Sequence, residues 1–304
     1  MAAREIRIGT SGFSYPGAAP AGWYGAFYPE RKTKGFDELR YFSHIFNTCE
    51  INQTFYRPPS AKITNAWAEK TPDDFSFAIK LWQKFTHAKK ISRKKSEEAW
   101  EVPTQKDIDE FRAGILPLAD AGKLGALLLQ YPAGFHYSTE NLEDLEKTLR
   151  WFYDYPKVIE LRHKSWSEYR GDTGRLLEEY RASEVLIDEP KFKTSIRQET
   201  EAIGDVVYFR AHGRNAKKWW HAKESWERYD YLYSREEVQQ HARRIETAVR
   251  KPGVKAVFGL YNNHARANAT ANAVMLSQEL GVKLNGMPAE NMVSKFPEMV
   301  QDAR

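Results

Sequence analysis

The chain has 304 residues, 41% of them hydrophobic and 29% charged, with a formal charge of +5 at neutral pH. That length suits one large barrel or two ordinary domains. No apolar run approaches the roughly 18 residues a transmembrane helix needs. The single cysteine excludes an intrachain disulfide, and the small positive excess favours an anionic ligand without establishing nucleic-acid binding.

Residues 5–10 read as a strand, 35–46 as a helix and 48–52 as a second strand. A short helix at 61–69 precedes a strand at 75–81. After a basic stretch, 105–119 reads as a helix, 125–131 as a strand, 139–152 as a helix and 157–162 as a strand. The pattern continues with a helix at 167–180, a strand at 184–188, a connection of weak helical character at 190–204 and a strand at 205–211. Residues 235–249, 255–261 and 265–280 read as helix, strand and closing helix, the last rich in alanine. Continuous apolar runs suit parallel strands covered on both faces. Eight such strands, mostly followed by helices, predict an α/β fold: a single TIM-like (β/α)8 barrel across residues 1–304. Two additions are expected. One is an aromatic insertion after the seventh strand, at 211–234, as a lid or insertion. The other is a short C-terminal extension from Val282, which looks peripheral and is interrupted by Pro288 and Pro297.

Several of these apolar runs end in charge. Lys157-Val158-Ile159-Glu160-Leu161-Arg162-His163 closes on a carboxylate, a guanidinium and an imidazole. Asp188 ends the sixth strand, and Tyr261-Asn262-Asn263-His264 follows the eighth. In an extended strand, residues two apart leave the same face, so Glu160 with Arg162, Arg210 with His212, and Glu50 with Asn52 form same-face pairs. In a barrel these can converge on the C-terminal mouth, where carboxylates exchange protons or ligate a metal and Arg and His stabilise negative charge. An internal salt-bridge layer closing the barrel is the competing reading, because buried charges demand partners. A divalent metal is left open as a cofactor, with Glu160, His163, Asp188, His212 and His264 as its candidate ligands. There is, however, no H-E-x-x-H and no pair of C-x-x-C motifs.

Three further features bear on ligands. Residues 84–95 carry dense positive charge without an acid, suited either to a polyanion or to a solvated loop. Lys80 and His87 flank the emerging end of the third strand. The connection Gly9-Thr10-Ser11-Gly12-Phe13-Ser14-Tyr15-Pro16-Gly17 suits an anion nest or an ordinary strand-to-loop turn, and Trp219-Trp220-His221 with Trp226 to Tyr231 suits stacking or local packing. Cys49, in an apolar strand, reads as a buried structural thiol.

Ordered motifs run through nearly the whole chain: Ile8-Gly9-Thr10-Ser11-Gly12-Phe13-Ser14-Tyr15, Phe27-Tyr28-Pro29, and Phe46 through Pro59 around Cys49-Glu50-Ile51-Asn52. They continue with Phe77-Ala78-Ile79-Lys80, Thr86-His87, Gln130-Tyr131-Pro132, Glu160 through Trp166, Arg210-Ala211-His212-Gly213 and Tyr261-Asn262-Asn263-His264. Together they resemble the YecE-like family, also called domain of unknown function 72. The resemblance implies a TIM barrel with a polar cavity at the strand carboxyl ends and no assigned reaction. It also implies cavity residues Glu50, Asn52, Lys80, Glu160, Arg162, His163, Asp188, Arg210, His212 and Asn262. The 219–233 stretch departs from the simpler connection common in that family.

The leading expectation is an enzyme acting on a small phosphorylated or carbohydrate-like ligand. Glu160, Asp188 and His212 are the catalytic candidates: Glu160 as acid/base, His212 exchanging a proton, and Asp188 orienting His212 or joining a metal shell. Arg162 and Arg210 are expected to bind phosphate or a negative intermediate, with Glu50, Asn52, Lys80, His163 and Asn262 as further ligand contacts. A non-catalytic module for a metabolite or nucleic acid is the alternative. A small anionic or polar metabolite is the expected partner, no membrane association is expected, and the cytoplasm is the expected location.

Overall fold

The computed structural model describes residues 5–87, 102–198, 203–288 and 290–300. Eight parallel strands close into a barrel in chain order: β1 (Glu5–Ser11), β2 (Thr48–Ile51), β3 (Ser76–Lys80), β4 (Leu124–Gln130), β5 (Lys157–Glu160), β6 (Ala182–Asp188), β7 (Val206–Ala211) and β8 (Ala256–Tyr261). β8 returns to β1 in parallel register from Glu5↔Ala256 to Thr10↔Tyr261, so no edge is left open.

Helices wrap the outside: α1 (Glu38–Ser43), α2 (Ala61–Lys70), α3 (Gln83–Thr86), α4 (Gln105–Asp120), α5 (Thr139–Trp151), α6 (Ser165–Glu168), α7 (Arg170–Glu179), α8 (Arg235–Val249), α9 (Asn268–Glu279) and α10 (Glu290–Lys295). Their starts follow from local chemistry. Thr104 and Ser234 each cap the backbone N–H three residues on, while Asp107 and Glu237 reach back to the cap N–H, giving α4 and α8 reciprocal capping boxes.

The single helix expected over 167–180 is two, α6 and α7, because Tyr169 adopts non-helical angles between them. The tail is not merely peripheral. Met292, Phe296 and Met299 are buried in the common apolar core, so α10 and the 3-10 turn after it are part of the packing. Of the basic run at 84–95, residues 88–95 lie outside the described residues. No helix among the described residues is long and apolar enough to cross a membrane.

Barrel closure requires close strand contact at Gly9. A Cβ there would sit 2.0 Å from the Thr48 carbonyl oxygen on β2, a backbone atom that cannot swing aside. Gly9→Ala is therefore expected to destabilise the protein by about 1–3 kcal/mol, read from the urea midpoint. Gly134→Ala, where an added Cβ meets nothing within 4 Å, serves as the neutral control and should stay within about 0.5 kcal/mol. Equal shifts in the two variants would contradict this account.

Candidate functional site at the barrel mouth

Strand register decides which side chains enter the barrel. Partners in register share a face, and the register pairs Ser11 with Glu50, Glu50 with Ala78, Gln130 with Glu160, Ile187 with Arg210, and Arg210 with Leu260. That this face is the interior follows from contacts across the barrel. The Tyr208 hydroxyl on β7 donates to Glu50 Oε2 on β2 at 2.8 Å. Lys80, two residues beyond Ala78, falls on the same face.

Arg210 is the centre of this layer, with only 1% of its surface exposed. Its Nε and Nη2 donate to the Glu50 carboxylate at 2.9 and 2.5 Å, and its Nη1 donates to Glu160 Oε2 at 2.7 Å. Glu160 Oε1 accepts from Gln130 Nε2 at 2.5 Å and from Arg162 Nε at 2.8 Å. These guanidinium groups hold the Glu160 carboxyl well below its ordinary range despite complete burial. At neutral pH Glu160 is therefore held as the carboxylate, which has no proton to deliver. Both of its oxygens are engaged, as are those of Glu50. The acid/base role expected for Glu160, and the ligand-binding role expected for Arg210, do not fit this pairing.

His212 lies over the same cluster. Its Nε2 is 3.1 Å from Arg162 Nη2 and 3.3 Å from Arg210 Nη1, while the Asn262 side-chain amide is 2.9 Å from Nδ1. Burial, reinforced by the two adjacent cations, lowers its pKa to about 4 against the pull of Glu160. The ring is neutral at pH 7.

Two expected site residues face elsewhere. Asp188 is in register with Ala211 rather than Arg210, so it points to the helical layer. There Arg214 holds it through both oxygens at 2.9 and 2.7 Å, Tyr233 donates to it at 2.8 Å, and His241 Nε2 is 3.5 Å away. It does not orient His212, whose Nδ1 faces Asn262. His163 turns to the start of α6, where its Nδ1 meets Ser165 Oγ at 2.8 Å and the Ser165 N–H at 3.3 Å. Among the described residues, no three His, Cys, Asp or Glu side chains converge to hold a metal ion, so the five expected metal ligands do not gather.

The mouth contains groups the sequence reading did not single out. Glu189, one residue past Asp188, returns to the interior side. Its Oε2 lies 3.4 Å from Arg162 Nη1, and burial raises its pKa. Tyr208 and Gln130 complete the bonding of Glu50 and Glu160. Residues of the 211–234 segment lie over the β7 and β8 ends. The Trp219 ring is 6.4 Å from His212, and Tyr229 is 4.9 Å from His264, whose other face stacks on Tyr15 at 4.5 Å. The glycine turn after β1 is tied down by the Gly12 N–H donating to Glu50 O on β2 and by the Tyr15 hydroxyl donating to Ser11 O, while Ser11 Oγ finds no partner among the described residues. Cys49 is buried on the opposite face of β2 from Glu50, and its thiol is pushed well up by burial, as suits a structural side chain.

Residues 7–296 match the family described as “Protein of unknown function DUF72”. The chain belongs to the DUF72 family. The DUF72 chain is 25% identical over 286 residues to the UPF0759 protein YunF of Bacillus subtilis, which covers 90% of this chain and 96% of that one. A DUF72 protein from Thermotoga maritima is 32% identical, with a TM-score of 0.77 over 91% of this chain and 99% of its own. A DUF72 protein from Enterococcus faecalis, at 24% identity and a TM-score of 0.75, covers 91% of this chain and 96% of its own. That last likeness bears on the DUF72 barrel fold alone.

Proposed function

We propose that the barrel mouth binds a small, oxygen-rich metabolite carrying negative charge, phosphorylated or carbohydrate-like, and acts on it as an enzyme. One observation carries this reading. Ser11 Oγ, Asn52 Oδ1, Trp82 Nε1 and His264 Nδ1 are buried polar atoms without a hydrogen-bond partner among the described residues, and they sit at or just beyond the ends of β1, β2, β3 and β8. Buried polar groups are ordinarily satisfied. Several unsatisfied ones around the same end of a barrel suit an oxygenated ligand that supplies donors and acceptors together.

In this reading the inner layer of Glu50, Arg210 and Glu160 is scaffold, and it holds Arg162 in place. Arg162 is the anchor for the ligand's anion. Its side chain retains 17% exposure, and its Nη1 is the nitrogen left outside the Glu160 clamp. Glu189, with its raised pKa, and the neutral His212 are the groups suited to move protons.

Arg162→Ala is expected to weaken ligand binding about 10- to 100-fold, the loss of a charge-assisted hydrogen bond. Calorimetry with glycerol 3-phosphate and inorganic phosphate reads this directly. Unchanged affinity in Arg162→Ala, or no saturable binding by the wild type, would count against the reading. Saturable binding without turnover of any phosphorylated carbohydrate would favour the non-catalytic alternative.

A further inference from the structure

We propose that Lys80 is a nucleophile that condenses with the carbonyl carbon of an aldehyde or ketone in the barrel mouth, so that the metabolite's class, given the binding reading above, is a phosphorylated carbonyl compound. Lys80 ends β3 on the interior face, through the register that pairs Ala78 with Glu50. The other cations of the inner layer are engaged, Arg210 by Glu50 and Glu160, and Arg162 by Glu160. Lys80 has no ion pair or hydrogen bond from its amine among the described residues. Its Nζ instead stands 4.0 Å from the centre of the Phe55 ring.

The chain treats its structural lysines differently. Lys123 Nζ donates to the carbonyls of Ala68 and Thr71 at 2.7 and 2.8 Å, and Lys157 Nζ donates to those of Tyr153 and Tyr155 at 3.0 and 2.9 Å. An amine left without acceptors inside a ring of paired charges is placed for chemistry rather than for support. Burial and the nearby Arg210 guanidinium work in the same direction, lowering its pKa from 10.5 to about 7, so free amine is abundant at neutral pH. At the ends of β2 and β3, Trp82 Nε1 and Asn52 Oδ1 have no hydrogen-bond partner among the described residues, leaving the indole N–H to donate to a ligand oxygen and the amide oxygen to accept from a ligand hydroxyl.

The step balances without an oxidant. The free amine's lone pair forms a bond to the carbonyl carbon, and the C=O π pair moves to oxygen, which takes a proton. The nitrogen then loses a proton, the hydroxyl is protonated and leaves as water, and a C=N bond replaces the C=O. Carbon and nitrogen keep their oxidation states.

The test is reductive trapping of the full-length protein with glyceraldehyde 3-phosphate and cyanoborohydride, whose hydride reduces C=N to a stable secondary amine, followed by peptide mass spectrometry. Lys80 should be modified at least 10-fold faster than the exposed Lys62 and Lys106. The rate should be half-maximal near pH 7, and glycerol 3-phosphate, which has no carbonyl, should protect. Lys80→Arg should abolish that fast adduct while its urea midpoint shows the barrel still folded. Modification of Lys80 no faster than Lys62 would overturn the proposal. If glycerol 3-phosphate then still bound saturably, the binding site would stand and only the imine would fall; if it did not bind, the ligand reading would fall as well.

Discussion

Arg210→Met is expected to lower the stability of the barrel by about 3–5 kcal/mol, because it leaves the buried Glu50 without its cation and removes one of the two guanidinium groups that hold Glu160. Glu50 and Glu160 have no exposed surface, and Arg210 is the cation that bridges them. Arg162→Met should cost less, about 1–3 kcal/mol, since Glu160 would keep Arg210 and Gln130 while the lost side chain was partly in solvent. Urea unfolding measures both, with the midpoint shifting at constant slope if the native state stays compact. A triple variant, Glu50→Gln with Glu160→Gln and Arg210→Met, should recover part of the loss, because the uncompensated charges go with their partner. Equal losses for Arg162→Met and Arg210→Met would mean that Arg210 does not hold the interior together. The layer pairs its charges internally, as the salt-bridge expectation has it, and lies beneath the ligand site proposed above.

Stability is also expected to fall as pH drops from about 6.5 to 4, well before most carboxylates titrate. Burial holds both His212 and His264 at about 4, against an ordinary 6.5. Between those values the unfolded chain binds protons that the folded chain refuses, so acid favours unfolding. Each such histidine contributes about 1.4 kcal/mol per pH unit across the middle of that window. Their contribution is complete above the unfolded value and is lost as pH falls through the folded one. Below pH 4 a second loss follows, because Glu160 and Asp188 are held as carboxylates below their ordinary range by Arg210 and Arg162 and by His241 and Arg214 respectively. Urea midpoints measured from pH 7 to 4 check this. His212→Gln should make the slope shallower, whatever it does to the stability at pH 7. An unchanged slope would show that His212 titrates normally.

Much of the barrel was readable from the chain because parallel strands buried on both faces must be apolar runs, and all eight lie within two residues of the expected bounds. The split between α6 and α7 was not, since it depends on the backbone angles of Tyr169 rather than on apolar periodicity. The tail's role was hidden for a related reason: Met292, Phe296 and Met299 acquire meaning only when the surface they cover exists.

At the mouth, two-residue spacing correctly brought Glu160, Arg162, Arg210 and His212 together, because the pleat alone determines that face. It failed at Asp188. Charge at a strand end looks the same from the sequence whichever side it faces, and the register Ile187↔Arg210 turns Asp188 outward and Glu189 toward Arg162. The sequence by itself determined the alternation of strands and helices, the family and the list of charged residues at strand ends. The tertiary structure decided which of those charges pair, because Glu50 and Arg210 meet only when strands 160 residues apart face each other across the barrel. It likewise left the Lys80 amine without an ion pair among the described residues, since the guanidinium groups occupy the nearby carboxylates.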